Sequence, residues 1–263
     1  MRIFQRKSPI EKEWGKLMKE EDRFLAARTE KKDSFLNRKL EEVVPEKLQG
    51  TLDAAFAKAF GLIFEKGTGV IEKTYKKEEL EKEYKINQYT EEVRQDSKSL
   101  KQFSKKAKQS GGKNMIFSGA AGIGMGVLGI GIPDIPIFLG MVLKSIYEIA
   151  LNFGFRYDTE EEKYLILLVI RGAVSYGDEM LVTDRLIREF MERETLPVDY
   201  DRESQIRRTS EALSKELLYM KFLQGVPVVG AVGGAYDAVY MRQITVYANL
   251  IYRHRFLMKK KQK

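Results

Sequence analysis

Residues able to do acid, base or nucleophilic chemistry are few in this chain and poorly placed for most constellations. There is no cysteine and a single histidine, His254, so neither a Cys/His dyad nor a multi-histidine metal site can be assembled within one chain. His254 sits among Arg253, Arg255 and the terminal lysines, a setting that reads as a solvated histidine at a helix end rather than a catalytic base. No G-x-S-x-G elbow supplies a serine nucleophile. Gly124, Gly126 and Gly129 match G-x-G-x-x-G, with Glu148 nineteen residues beyond. That fingerprint needs a preceding strand and an open helix N-terminus, whereas Pro133 interrupts the segment that follows and Glu148 lies inside a helical pattern. Residues 107–114, AKQSGGKN, resemble a phosphate loop, but Ala107 stands where its first glycine belongs and Asn114 where the magnesium-binding hydroxyl belongs. No cofactor and no metal is expected.

The remaining candidate is Asp134, the only ionisable side chain between Lys113 and Lys144 in a chain that is 32% charged. A carboxylate in apolar surroundings costs several kcal/mol unless it is paired or hydrogen-bonded. Two arrangements would supply partners. Asp134 could cap the helix that follows, accepting backbone N–H bonds, or it could join Lys144, Glu148, Asp237 and Arg242 in a polar or ion-binding site. The second arrangement is also the basis of an alternative function, a carboxylate-dependent hydrolase of lipid or peptide substrates.

The elements that would position these residues follow from the apolar run. Pro133 and Pro136 flank Asp134, and a proline does not continue a helix from its N-terminal side, so the run splits into arms at 115–132 and 136–152. Ser118, Gly122 and Gly126 recur every four residues in the first arm, and Gly230, Gly234 and Ala238 do the same in residues 225–240, GVPVVGAVGGAYDAVY. Helical residues at that spacing share a face, and a face without side chains allows close backbone approach. The sequence therefore predicts a glycine-rich helical hairpin over 115–152 packed against the helix after Pro227; local turns or kinks are the alternative use of these glycines.

Elsewhere the pattern is helical. Ser8-Pro9 predicts a helix start, followed by a stripe through Ile10, Trp14, Leu17, Met18 and Leu25. A second helix opens at Pro45 with Leu48, Leu52, Phe56, Ala59 and Ile63 on one face, and the GTG at 67–69 is expected to end it. A lysine- and glutamate-rich stretch runs over 70–108 and reads as a solvated face. Thr159 and Glu162 form a T-x-x-E capping box, and YLILLVI in the helix after it is apolar around its whole circumference, which predicts a core helix. Amphipathic helices follow from Asp178, from about Ile206 and after Pro227. No segment alternates as a strand does, so the fold class is all-α, a multi-helix domain built around the glycine-rich hairpin. The boundaries expected are an N-terminal helical extension over 1–44, a helical domain over 45–258 and a basic tail over 259–263.

The blocks GIGIPDIPIFL, FGFRYDTEEEKYLILLVI and QGVPVVGAVGGAYDAVYMRQITVYANLIYRHRFL, in that order, resemble the EcsC protein family from about residue 45 to residue 257. The resemblance implies a bacterial, membrane-proximal setting, since the family is named for a locus encoding an ABC-type transporter. It implies no catalytic residue. A membrane-transport protein is therefore one partner to consider.

Composition agrees with such a setting without requiring it. The net charge of +8 favours acidic partners. Lys259, Lys260, Lys261 and Lys263 beside Phe256, Leu257 and Met258 resemble a lipid-surface anchor, each cation near an anionic surface contributing about 1 kcal/mol; a merely solvated tail has the same composition. Nucleic-acid binding is not expected, because the basic residues lack interleaved aromatics. Residues 1–16 hold too little apolar sequence for a signal peptide, which points to the cytoplasm, with peripheral attachment to the inner face of the cell membrane. The uncharged run 115–133 approaches the roughly 20 residues of a membrane span, but its glycines and the mean hydropathy of −0.37 keep three readings open: a buried core hairpin, a hairpin dipping into one leaflet, and a span. The whole reads as a non-enzymatic membrane-proximal accessory or interaction protein.

Overall fold

The computed structural model describes residues 7–29, 46–117, 134–223 and 235–262. Among these residues all regular structure is helical: α1 Pro9–Thr29, α2 Glu46–Leu62, α3 Thr68–Glu72, α4 Lys77–Arg94, α5 Ser97–Phe117, α6 Asp134–Asn152, α7 Glu160–Val174, α8 Gly177–Arg193, α9 Arg202–Leu223 and α10 Ala235–Gln262. The glycine-rich arm at 118–132 and residues 224–234 lie outside the described residues, and with them the expected packing of Ser118, Gly122, Gly126, Gly230 and Gly234; Ala238 falls in α10, but its side chain is likewise outside what is described.

Local chemistry sets the helix starts. Ser8 and Glu11 cap α1 reciprocally: the Glu11 N–H donates to Ser8 Oγ at 3.1 Å and the Ser8 N–H to Glu11 Oε2 at 2.7 Å. At α7 only half of the expected box forms. The Glu162 N–H donates to Thr159 Oγ1 at 3.2 Å, while the Glu162 carboxylate turns inward to a buried arginine. Two expected boundaries shift. Pro136 does not begin α6 but lies in its first turn, where a missing N–H costs nothing because that donor has no partner in the helix. The GTG at 67–69 does not end α2; the chain widens into a π turn over Ile63–Gly67 and resumes as α3.

The core is centred on α7, in which every residue from Tyr164 to Val174 is buried. It is surrounded by α8, α9 and α10. At Gly172 a Cβ would fall 2.9 Å from the Tyr247 ring, so the missing side chain is what lets α7 and α10 approach there. A second layer pairs α6 with α2, α4, α5 and α10. Over Ile135–Asn152 the mean hydropathy of α6 is 1.4, enough by length and composition to cross a membrane, yet 83% of that stretch is buried within the protein. Its apolar surface is met by the other helices.

α1 also joins this body. It packs against α10, α5 and α8, with Leu17 and Phe24 buried and the Phe24 ring stacked on Tyr247 at 4.6 Å.

Candidate functional site

Helix directions fix which chain ends meet. Phe103 near the start of α5 and Phe153 just after α6 both contact Phe256, at ring-centroid distances of 4.5 and 5.7 Å. Since α5 packs along α6, the two run antiparallel, and α10 runs parallel to α6. The Tyr240 hydroxyl donates to the Glu216 backbone carbonyl at 2.9 Å, which puts the end of α9 beside the start of α10. Gln49 Nε2 donates to Ser214 Oγ at 2.7 Å, placing the start of α2 on the same side, and α1 descends α10 from Trp14 against His254 to Phe24 against Tyr247. Phe117, Asp134, Leu223 and Ala235 therefore gather at one pole of the helical body. These are the residues that flank the two uncharged glycine-rich segments 118–133 and 224–234.

Near that pole lies a set of titratable groups that the sequence reading did not single out. Arg28 donates from Nε to the Ala173 carbonyl at 3.3 Å and lies over the Phe24 ring at 3.8 Å; Gln243 donates to the same carbonyl. Burial lowers the Arg28 guanidinium, and burial pushes the neighbouring Glu216 carboxyl up to about 7 against the opposing pull of the Tyr176 hydroxyl and Arg28. The folded chain thus holds a proton that an unfolded glutamate, at its ordinary 4.5, has already released. This contribution is fully present below pH 4.5 and is lost as pH rises through about 7. Replacing Glu216 by Gln is expected to remove that slope and to stabilise the protein at pH 8 by about 3 kcal/mol; urea unfolding at pH 5 and pH 8 measures it.

Of the polar site expected around Asp134, the described side chains are those of Lys144, Glu148 and Arg242. Lys144 and Glu148 lie one turn apart on α6. The Lys144 ammonium donates to the Thr74 carbonyl at 3.1 Å, and Glu148, which is buried, acts on Tyr75, whose hydroxyl is pushed up by its own burial and by the Glu72 and Glu148 charges. Tyr157 donates to Glu72 Oε1, and its ring stacks on Tyr147 at 4.2 Å. These groups tie the loop after α3 to α6. Arg242 is exposed on α10. The side chains of Asp134 and Asp237 lie outside what is described.

At the opposite pole the basic end of the chain is built into the protein. α10 continues as helix to Gln262. Lys259 pairs with Glu194 at 3.0 Å, Lys260 with Glu91, and Lys261 lies 4.3 Å from the Trp14 ring centroid; Lys263 is outside the described residues. His254 is not solvated, as its basic neighbours suggested, but 6% exposed, with Nδ1 2.8 Å from Glu21 Oε1 and its ring edge-on to Trp14. Arg253 reaches Glu13 at 3.1 Å and Glu20 at 3.0 Å, and Arg255 reaches both Glu162 oxygens at 2.9 Å. Tyr247 donates to Asp184, which also pairs with Arg188. Each of these buried carboxylates is occupied by a cation, an imidazole or a phenol. The arrangement stitches α1, α7, α8 and α10 together.

A cavity of about 720 Å³ lies between α2 and α9, floored by Gly50, Ala54, Ala57 and Gly61 and rimmed by charges of both signs, Asp53 and Arg202 among them. Among the described residues no group of three or more His, Cys, Asp or Glu side chains could hold a metal ion.

Compared with known protein families, residues 11–257 match the EcsC protein family, so the match begins within α1. No curated protein and no solved structure matches the chain.

Proposed function

This chain belongs to the EcsC protein family, and from that premise we propose that it is a non-enzymatic accessory protein that works against the inner face of the cell membrane, making contact at the pole where its two glycine-rich segments connect. The observation that carries this is the convergence of the ends of α5 and α9 with the starts of α6 and α10. The residues that flank two segments of 16 and 11 residues without a single ionisable side chain are thereby brought to one end of a highly charged body. Uncharged sequence concentrated at one end of a charged body suits partial insertion into a leaflet.

The lysines at the C-terminus serve this reading poorly. α10 is 28 residues long, about 42 Å at 1.5 Å per residue, and it separates Lys259–Lys261 from the glycine-rich pole. Both ends cannot lie on one leaflet in one orientation when the helix stands across it. A membrane-transport protein is the protein partner most in keeping with the family, and it would meet the chain at the same pole.

The test is flotation of the full chain with phosphatidylglycerol-containing vesicles. The chain is expected to float, Leu128→Asp is expected to weaken binding more than about tenfold, a carboxylate in apolar lipid being costly, and Lys259→Gln with Lys261→Gln is expected to leave it within about twofold of wild type. Failure of the wild-type chain to float at any anionic lipid content, or loss of flotation in the lysine variant with retention in Leu128→Asp, would overturn the proposal.

A further inference from the structure

The outward face of α4 carries the most exposed apolar side chains in its part of the molecule. Ile86, Tyr89 and Val93 are 64, 70 and 66% exposed, and they recur at spacings of three and four residues, which places them in one stripe. The inward face of α4 is already used. Leu80 and Tyr84 pack against the core, Tyr84 lies edge-on to Phe103 at 5.8 Å, and Glu91 is buried beside Lys260. The exposed stripe is a second seam with nothing of this chain's described residues on it.

Its flanking charges say what fits there. Lys82, Ile86, Tyr89 and Val93 follow the four-three-four spacing of a coiled-coil seam, in which Lys85 and Glu92 take equivalent flanking positions one heptad apart. Lys85 is at the N-terminal end of the stripe and Glu92 at its C-terminal end, and both are exposed. We propose that α4 pairs with α4 of a second copy of this chain, antiparallel, about a two-fold axis near the middle of the stripe.

In that arrangement Ile86 of each copy lies against Tyr89 of the other, and Val93 covers the aliphatic stem of Lys82. Lys85 then faces Glu92 of the other copy at both ends of the seam, the self-complementary pairing that a two-fold interface demands. Parallel pairing is disfavoured by the same residues, because it would oppose Lys82 to Lys82 across the axis and Glu78 to Glu83 beside it. An anionic membrane is a poor occupant: α4 carries six glutamates against three lysines and one arginine. One helix pair covers less surface than a standard protein interface of about 1,600 Å², so the dimer is weak, with a Kd on the order of tens to hundreds of micromolar.

Sedimentation velocity on the full chain from micromolar to millimolar concentration tests this. The wild type is expected to shift from monomer to dimer across that range, and Tyr89→Glu to remain a monomer with an unchanged melting temperature, since its side chain is exposed. Lys85→Glu and Glu92→Lys singly are each expected to weaken dimerisation by about tenfold through two symmetric sites, and the double exchange Lys85→Glu/Glu92→Lys to restore it. A chain that stays monomeric at millimolar concentration, a dimer that survives Tyr89→Glu, or a double exchange that fails to recover would each overturn the pairing. Loss of vesicle flotation in Tyr89→Glu with no dimer in the wild type would assign the stripe to lipid instead. Leu128→Asp is expected to dimerise normally, so this result and the vesicle result succeed or fail separately.

Discussion

Arg255→Met is expected to lower the free energy of unfolding by about 3–5 kcal/mol, the usual cost of stranding one member of a buried ion pair. Arg255 Nη1 holds both oxygens of Glu162 at 2.9 Å, Nη2 reaches Glu194 at 3.2 Å, and the guanidinium lies 4.1 Å from the Phe155 ring centroid. Burial opposes the Arg255 charge, but the Glu162 carboxylate more than offsets it, and the guanidinium is held above its ordinary value. Methionine replaces the stem and leaves Glu162 buried with only the Tyr252 hydroxyl, at 2.6 Å. The double variant Glu162→Leu/Arg255→Met removes both charges and is expected to recover most of the loss, less about 1 kcal/mol for the orphaned Tyr252 hydroxyl. A double-mutant cycle by urea unfolding therefore reads a coupling well above 1 kcal/mol; additive losses would show that the two residues act independently.

Gly154→Ala is expected to cost about 3 kcal/mol or more. Gly154 follows α6 with φ +79°, and the Phe155 N–H closes the turn on the Ala150 carbonyl at 2.9 Å. A side chain there meets two separate penalties. The left-handed backbone costs an L-residue about 1–2 kcal/mol, and the new Cβ would stand 2.2 Å from Cζ of Tyr84, so the ring that joins α4 to α5 must move. In a Tyr84→Ala background the steric part disappears and only the backbone part remains, so Gly154→Ala should then cost about 1–2 kcal/mol. Equal costs in both backgrounds would show that the ring gives way freely. Thermal unfolding of the four chains separates the two.

Features governed by near neighbours in sequence were legible. Ser8 and Glu11, Thr159 and Glu162, and the uniformly apolar YLILLVI each act within a turn or two, and the helix starts and the core helix follow from them. Features that depend on distant partners were not. Arg253, His254 and Arg255 read as the beginning of a solvated basic tail because the carboxylates that bury them lie elsewhere in the chain: Glu13 is 240 residues from Arg253, and Glu162 is 93 from Arg255. One signal was present. Glu13 and Glu21 fall on the same helical face as Leu17 and Phe24, and acidic residues placed on an apolar stripe imply cations waiting opposite. The π turn at Ile63–Gly67 had no comparable signal, since Gly67 satisfies the rule for a helix end equally well. Of the polar site expected around Asp134, Lys144 and Glu148 lie one turn apart on α6, as their spacing implies. The Thr74 carbonyl that Lys144 meets and the Tyr75 hydroxyl on which Glu148 acts lie in a short loop whose position only tertiary packing sets.

The union of α1 with α10 has a consequence for how the chain is made. A ribosome adding about 5–20 residues per second has α1 in the open long before Arg253 and His254 emerge to meet Glu13 and Glu21. Throughout that interval α7 lacks the helix that covers it at Gly172, and α6 presents an apolar surface of membrane-spanning length with its neighbour α10 still unmade. A nascent chain in this state exposes the apolar faces of α6 and α7, the condition in which chains aggregate, and a chain that stopped before α10 would leave both faces uncovered.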